Sequence, residues 1–561
     1  MKKQSALKWD LQIAKKVWRG ILALSVCGVI YSVLGASFAL TSKNVVDSAV
    51  SALTEGAPME TLWKACIFLA LLVVIQLLMQ VGVSELTVRL SGKITILCKT
   101  KLFHSLIHKE AGRVLGYHTG ELLTRLTSDV SVISTAISTL LPDAIHYVTR
   151  ALASFVVLYT LDRLFALLCL LVLPIVLFAS GIYRKKMKNL HKKVQESDGK
   201  TRSFMQETLA NLLVIKSFGN EARMVENAGR LQKENYRFNL KRNHISIIMN
   251  VFFFIAMTAG YYFALGWGAI RLSQGLMTFG TLTAILQLVE QLQSPFRSLA
   301  SLLPQYYAMT ASTERILELE ELPEEETAGE DFNKAEIYEN AAAFCVENLT
   351  FSYEDKTVLR GVSFQLNKGE FAAVTGLSGA GKSTLLKLFL GIIEPEEGEI
   401  YLLTKDGNKI PLDAKTRPLF AYVPQGNMIL SGSVRENIAF AKEDATEEEI
   451  ICAAKDACIW EEIEKLPEGL DTKLGEGGLG LSEGQVQRLA IARALLYDAP
   501  ILLLDECTSA LDEETEKAVL EHLIAKKRKT CCIVSHKAAA KESCNVNFYV
   551  ENGVIYRLEK N

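Results

Sequence analysis

Four stretches of the chain, Gly20 to Ser42, Ala65 to Ser84, Leu164 to Tyr183 and Ile245 to Ile270, run on without a single formal charge. A helix of ~20 apolar residues is what the hydrocarbon layer of a bilayer demands, so these runs commit the first half of the chain to crossing a membrane. Two weaker stretches join them: Ala144 to Leu161, interrupted by His146 and Arg150, and Met277 to about Ser294, which carries Gln287, Glu290 and Gln291. Six spans return the chain to the side on which it began. Lys2, Lys3, Lys8, Lys15, Lys16 and Arg19 precede the first span, whereas the hairpins at Lys43 to Lys64, Asp162-Arg163 and Arg271 to Leu276 are short and hold little net positive charge. The positive-inside rule then places both termini in the cytoplasm, and the expectation is a multi-pass protein of a bacterial plasma membrane.

The segments Glu85 to Asp143 and Arg184 to His244 fall on that same side and are polar, basic and helical in period. They predict helices extending into the cytoplasm. Ahead of the first span, Trp9, Leu11, Ile13, Val17 and Trp18 alternate with Lys15, Lys16 and Arg19, a pattern that suits an amphipathic helix at the interface over residues 1–19. The apolar run behind it is too long for the core of a cleaved signal peptide. The membrane domain is expected over 20–317 and a solvated acidic linker over 318–342, where Glu is crowded around Pro323. Residues 343–561 suffice for a second, cytoplasmic domain. The eleven cysteines show no C-x-x-C pair and no His at zinc spacing, which argues for buried thiols rather than a metal or redox centre.

Within that second domain the run Gly376-Leu377-Ser378-Gly379-Ala380-Gly381-Lys382-Ser383 fits G-x-x-x-x-G-K-[ST], between the apolar stretch Phe371 to Val374 and the helical pattern Leu385 to Leu390. Backbone N–H groups of such a turn close on phosphates, the following helix adds its positive end, and Lys382 and Ser383 supply a counter-charge and a magnesium ligand. ATP or GTP is the ligand this loop selects. Further on, Ile501 to Glu506 reads as a buried parallel strand delivering two carboxylates to its C-terminal edge. Asp505 suits the magnesium shell, and Glu506 is placed to orient or deprotonate the attacking water.

The order of Gly376 to Thr384, Ala421-Tyr422-Val423-Pro424-Gln425, Leu481-Ser482-Glu483-Gly484-Gln485, Leu504-Asp505-Glu506, Ser509-Ala510-Leu511-Asp512 and Ser535-His536 resembles the nucleotide-binding domain of ABC transporters. With six spans fused ahead of it, the chain resembles an exporter-type half-transporter: an all-α polytopic membrane domain followed by an α/β P-loop ATPase domain. The resemblance implies ATP and Mg2+ as cofactors. It also implies that Tyr353 stacks on adenine, that Gln425 reaches magnesium and the water, and that His536 touches the γ-phosphate. Ser482, Gly484 and Gln485 would act on nucleotide held by the opposite subunit, with Asp512 coupling the two sites, so that one chain cannot complete a site by itself. Gly112 to Glu121 and Leu212 to Glu221, at the tips of the two extensions, resemble the coupling helices of such exporters.

Two positions depart from the family pattern. Glu483 stands where the signature commonly has its first glycine, which brings a carboxylate near a triphosphate and predicts a side chain turned away from it. Lys473 stands where Glu is usual before the run Gly475-Glu476-Gly477-Gly478. Three classes of function follow for comparison: an ATP-driven exporter of an amphipathic small molecule, lipid or peptide; an ATP-gated or regulatory protein on the same scaffold, against which the intact Glu506 counts; and a tethered soluble ATPase, which six spans disfavour. A homodimer is favoured, and one half of a heterodimeric exporter is the alternative. In the sixth span Gln287, Glu290, Gln291, Ser294 and Arg297 recur every three or four residues, and with Arg150 they are candidates for lining an aqueous path.

Overall fold

The computed structural model describes residues 2–329, 332–353, 356–426, 429–475, 480–525 and 529–558. It divides into two compact units, one of residues 1–103 with 119–320 and the other of residues 104–118 with 321–561.

The first unit is helical throughout. α1 (Lys2–Lys16) precedes α2 (Trp18–Thr54) and α3 (Met59–Ile107), whose last turn passes into the second unit. There α4 (Ala111–Leu115) forms a single short helix before the chain returns through α5 (Thr119–Thr124) and a π-turn at Arg125–Asp129 into α6 (Val130–Leu161). α7 (Arg163–Ala210), α8 (Leu212–Ser217), α9 (Glu221–Ser273) and α10 (Phe279–Glu320) follow. The long helices carry all six stretches read as spans, and among the described residues four helices, Trp18–Thr54, Met59–Ile107, Thr119–Leu161 and Glu221–Ser273, have the length and apolarity to cross a bilayer. α7 holds the stretch Leu164 to Tyr183, most of whose side chains lie outside the described residues. α10 is more polar and buries a narrower face, Ala284, Ile285, Leu288 and Val289, against Ala39, Leu158, Phe165 and Ala264. On α3, by contrast, Ile67, Phe68, Leu71, Leu77, Leu78 and Val81 stand exposed, an apolar surface that lipid or another chain must cover.

The amino-terminal helix packs one face onto the helical unit. Ala6, Trp9 and Ile13 are buried within the unit; the Trp9 indole N–H donates to Glu320 at 2.9 Å and Thr313 donates to Asp10 at 2.7 Å. Leu7, Leu11 and Trp18 stay exposed. The apolar stripe packs on a protein surface that includes the C-terminal end of α10. The polar stripe of α10 is also only partly free. Gln291 donates to Gly35 at 3.0 Å and accepts from Ser154 at 3.4 Å, tying α10 to α2 and α6, while Glu290 is exposed; the Arg297 side chain lies outside the described residues.

The second unit is built on two principal sheets. The four-stranded antiparallel sheet runs β2-β1-β4-β5, from β1 (Ala341–Tyr353), β2 (Lys356–Asn367), β4 (Glu397–Thr404) and β5 (Lys409–Pro411). The six-stranded sheet has the order β12-β11-β3-β10-β9-β6. Its members are β3 (Phe371–Gly376), β6 (Phe420–Val423), β9 (Ile501–Asp505), β10 (Thr530–Val534), β11 (Val546–Glu551) and β12 (Val554–Leu558), parallel except for β12; β7 (Gly432–Ser433) and β8 (Lys473–Leu474) pair separately. β3, β9 and β10 are buried on both faces, which is why their sequences are continuous apolar runs rather than alternating ones. Cys531 and Cys532 sit in this core, where burial raises both thiols, Cys532 to about 12.

The described residues of 318–342 include regular structure at both ends. α10 runs on through Glu320, α11 (Lys334–Asn340) forms a further helix, and β1 begins at Ala341. Cations meet the carboxylates between them: Glu325 pairs with Arg417, and Glu326 with Lys415.

Candidate functional site

The parallel sheet sets the site by register. β10 lies between β3 and β9, with Val534 opposite both Val374 and Asp505, so three strand ends open on one edge. The phosphate loop leaves β3 at Gly376, whose φ of 145° and position leave no room for a Cβ, since one would stand 2.2 Å from the Val550 carbonyl oxygen. Gly381, at φ 102°, caps α12 (Lys382–Phe389) without a side chain of its own. Leu377, Ser378 and Gly379 are exposed, and the turn is held by Ala380 N–H donating to Leu377 O at 3.2 Å. Lys382 is buried inside this turn and donates to the carbonyls of Gly376 (2.9 Å) and Leu377 (3.0 Å) and to His536 Nε2 (3.0 Å). Desolvation lowers its pKa, opposed by the charges of Glu506 and Asp505.

Next to the lysine, Ser383 Oγ donates to Asp505 Oδ1 at 3.0 Å, and Tyr422 approaches Oδ2 at 3.4 Å. Asp505 is fully buried, and burial raises its pKa, with Ser383 working the other way. A buried carboxylate bonded to a hydroxyl beside a cationic lysine is a donor set of hard oxygens, as Mg2+ requires. Glu506 follows with φ 48°, an uncommon backbone state for a non-glycine residue, fixed by its N–H donating to Val534 O at 3.0 Å. That twist swings its carboxylate to Gln425 Nε2 (2.7 Å) and to within 3.2 Å of His536 Nε2.

The structure thus brings Gly376 to Thr384, Gln425, Asp505, Glu506 and His536 together. It keeps the signature apart from them. Ser482 caps the helix Glu483–Tyr497, accepting from Gln485 N–H at 3.3 Å, while Gln485 Oε1 accepts from Ser482 N–H at 2.7 Å. Among the described residues no hydrogen bond or ion pair links Ser482, Gly484 or Gln485 to the phosphate loop. Glu483 is exposed in the first turn of that helix, where a carboxylate complements the helix dipole. Gly484 abuts the Ala510 carbonyl, 3.1 Å from where a Cβ would lie. Asp512 accepts from Thr515 N–H at 2.9 Å, which holds its carboxyl below the ordinary range. Tyr353 is exposed at the end of β1, edge-on to Phe351 at 4.8 Å. Glu476, Gly477 and Gly478 lie outside the described residues.

Sequence reading missed the supports behind these residues. Gln487 donates to Ser509 at 2.9 Å and accepts from Ala510 N–H at 3.1 Å, and Lys537 donates to Thr508 O (2.8 Å) and Leu511 O (2.6 Å). Both hold the loop leading to Asp512. Gln487 opens the run that follows the signature and Lys537 stands next to His536, but their bonds to this loop show only in the fold.

A phosphate loop, a strand-end acid pair and a histidine on one sheet edge, carried by a chain with long apolar helices, define an ATP hydrolase joined to a multi-pass membrane domain. Residues 21–296 match the ABC transporter transmembrane region and residues 359–509 match the model described as ABC transporter. The chain is 32% identical over 480 residues to the ATP-dependent lipid A-core flippase of Pasteurella multocida (strain Pm70), covering 83% of this chain and 80% of that protein. It is 29% identical over 469 residues to ABC transporter B family member 1 of Dictyostelium discoideum, of which it spans about half, 51%. In fold it resembles a solved bacterial Atm1-family ABC exporter with ATP bound, with a TM-score of 0.79 at 24% identity over 95% of this chain and 94% of that one. The chain belongs to the ABC transporter family and has the half-transporter architecture of its exporters, an ATPase that couples hydrolysis to transport across a membrane.

Proposed function

We propose that two copies of this chain form an exporter that carries an amphipathic small molecule, lipid or peptide outward across a bacterial plasma membrane, using ATP bound at two composite sites. The convergence of Gln425 and His536 on Glu506 carries this reading, because it supplies a general base with its positioning groups already in contact. A triphosphate in the loop takes over the N–H bonds that Lys382 makes to its own turn. Glu506 then accepts a proton from the attacking water as that water bonds to the γ-phosphorus and the ADP oxygen leaves, while His536 and Lys382 stabilise the charge that spreads over the phosphoryl oxygens. Ser383, Asp505 and Gln425 would hold Mg2+, which supplies charge neutralisation between the β- and γ-phosphates.

Two observations support a dimer. Ser482 and Gly484 make no bond to the phosphate loop of their own chain, and the α8 tip leaves Leu213 (81%) and Phe218 (76%) exposed, an apolar knob suited to a second subunit. Apolar helix walls with a few polar groups on α10 favour an amphipathic cargo; the Pasteurella relative is named for a lipid one. The test is magnesium-dependent ATP hydrolysis by the chain alone in lipid discs, with Glu506→Gln as control, followed by ATP-driven movement of a fluorescent phospholipid in sealed vesicles. Hydrolysis that survives in Glu506→Gln, or a folded wild type without any, would overturn the homodimeric reading.

A further inference from the structure

The second unit contains a junction that no sequence motif marks. The chain enters this unit twice from the membrane helices, after Phe103 near the end of α3 and after Glu320 at the end of α10. The two entering strands meet as a short antiparallel bridge: Glu110 N–H donates to Pro323 O at 3.1 Å, and Glu325 N–H donates to His108 O at 2.8 Å, with Lys109 opposite Glu324. Glu325 then extends its carboxylate into the unit. Both oxygens accept from Arg417, at 2.8 Å from Nη1 and 2.8 Å from Nη2, a bidentate pair whose carboxylate is 11% exposed. The same carboxylate receives the Ala111 N–H, the first residue of α4.

Arg417 has a second set of contacts. Its Nε donates to Leu390 O at 2.9 Å and its Nη2 to Gly391 O at 3.2 Å. Those carbonyls end the helix that begins at Lys382 and Ser383, so one guanidinium joins the far end of the phosphate-loop helix to the carboxylate at the base of α4. The neighbouring backbone is tight as well. A Cβ on Gly112 would stand 2.5 Å from Ile392 O, and one on Gly391 would stand 2.5 Å from the Asp413 backbone. Helix, guanidinium, carboxylate and bridge form a continuous chain of hydrogen bonds.

We propose that Arg417 and Glu325 are positioning residues that transmit displacement of the phosphate-loop helix to both chain entries at once, through α4 and through the segment following α10. Among the described residues the pair makes no hydrogen bond to the phosphate loop, Asp505, Glu506 or His536, so its loss leaves ATP binding intact and disconnects it from the membrane helices. A bidentate, mostly buried pair suits this task better than apolar packing, because its geometry is directional and two strands share one anchor. This inference rests on the transporter reading above.

Hydrogen–deuterium exchange of the full chain in lipid discs, with and without Mg-ATP and vanadate, tests it for wild type, Glu325→Gln and Arg417→Gln. In wild type, nucleotide protects peptides of the phosphate loop and alters exchange at the α9–α10 connection near Gly275 to Gly280. In both variants the phosphate-loop protection remains, and the change at the α9–α10 connection falls about fivefold or more, the lower bound of ordinary site-to-site coupling. A wild-type-sized change there in both variants overturns the proposal. So does loss of phosphate-loop protection, which would make the pair part of the nucleotide site. A folded wild type that responds in neither region overturns the transporter reading and this inference with it.

Discussion

Gln425 and Glu506 are joined by a 2.7 Å hydrogen bond between the side-chain amide and the carboxylate, although 80 residues separate them in the chain. The bond fixes where the Glu506 carboxylate points, and it makes the loop bearing Gln425 sensitive to any charge that Glu506 gains or loses. Glu506→Gln replaces an acceptor with an amide and removes the base. Hydrolysis is expected to fall by about 10²- to 10⁴-fold with ATP affinity retained, as read by phosphate release and by equilibrium binding of a fluorescent ATP analogue.

Asp505 gives a pH prediction of definite sign. Burial raises its folded-state pKa above the ordinary 3.8, so the folded protein holds the proton more tightly than the unfolded chain. Stability is therefore lost as pH rises from 3.8 through the folded value, and the full cost is present at neutral pH. Asp505→Asn keeps an acceptor for Ser383 and removes that cost. Without nucleotide or magnesium, its melting temperature should exceed that of wild type at pH 7.5, by about 2–4 °C for each kcal/mol relieved, and the gap should close as pH is lowered. Hydrolysis should be lost at the same time, a conflict between stability and activity expected of such a site.

Gly376→Ala tests the sheet's hold on the phosphate loop. With φ at 145° and the Val550 carbonyl 2.2 Å from the new Cβ, either the β3–β11 pairing or the loop must shift. The expected cost is about 2–4 kcal/mol, seen as a lower denaturant midpoint together with loss of ATP binding.

Asp47 tests the membrane unit independently. From α2 it accepts from Gly280 N–H at 2.9 Å and from Thr278 Oγ1 at 3.1 Å, capping the start of α10 from a neighbouring helix. Asp47→Ala should destabilise this unit by about 1 kcal/mol, and Asp47→Asn, which retains the acceptor, by less. Thermal unfolding in detergent distinguishes the two.

Much of this protein was legible before any fold was known. The uncharged runs fixed the existence of membrane helices because no other element satisfies every backbone group in hydrocarbon. Gly376 to Thr384, Asp505 and Glu506 were legible because phosphate binding and strand-end chemistry need particular residue types at fixed spacing. Such signals are local, and local signals survive in a linear text.

Tertiary structure decided what depends on a distant partner. The periodicity of Trp9 and Ile13 specified an apolar face without naming α10 as a partner; among the acids of 318–342, Glu325 is drawn in by Arg417 while Glu326 stays exposed beside Lys415. Gln487 and Lys537 acquire their positions only when β9 and β10 pair in register, and the left-handed backbone of Glu506 follows from one bond to Val534. Residue type sets which bonds a side chain is able to make, and the closed sheet determines which of them are within reach.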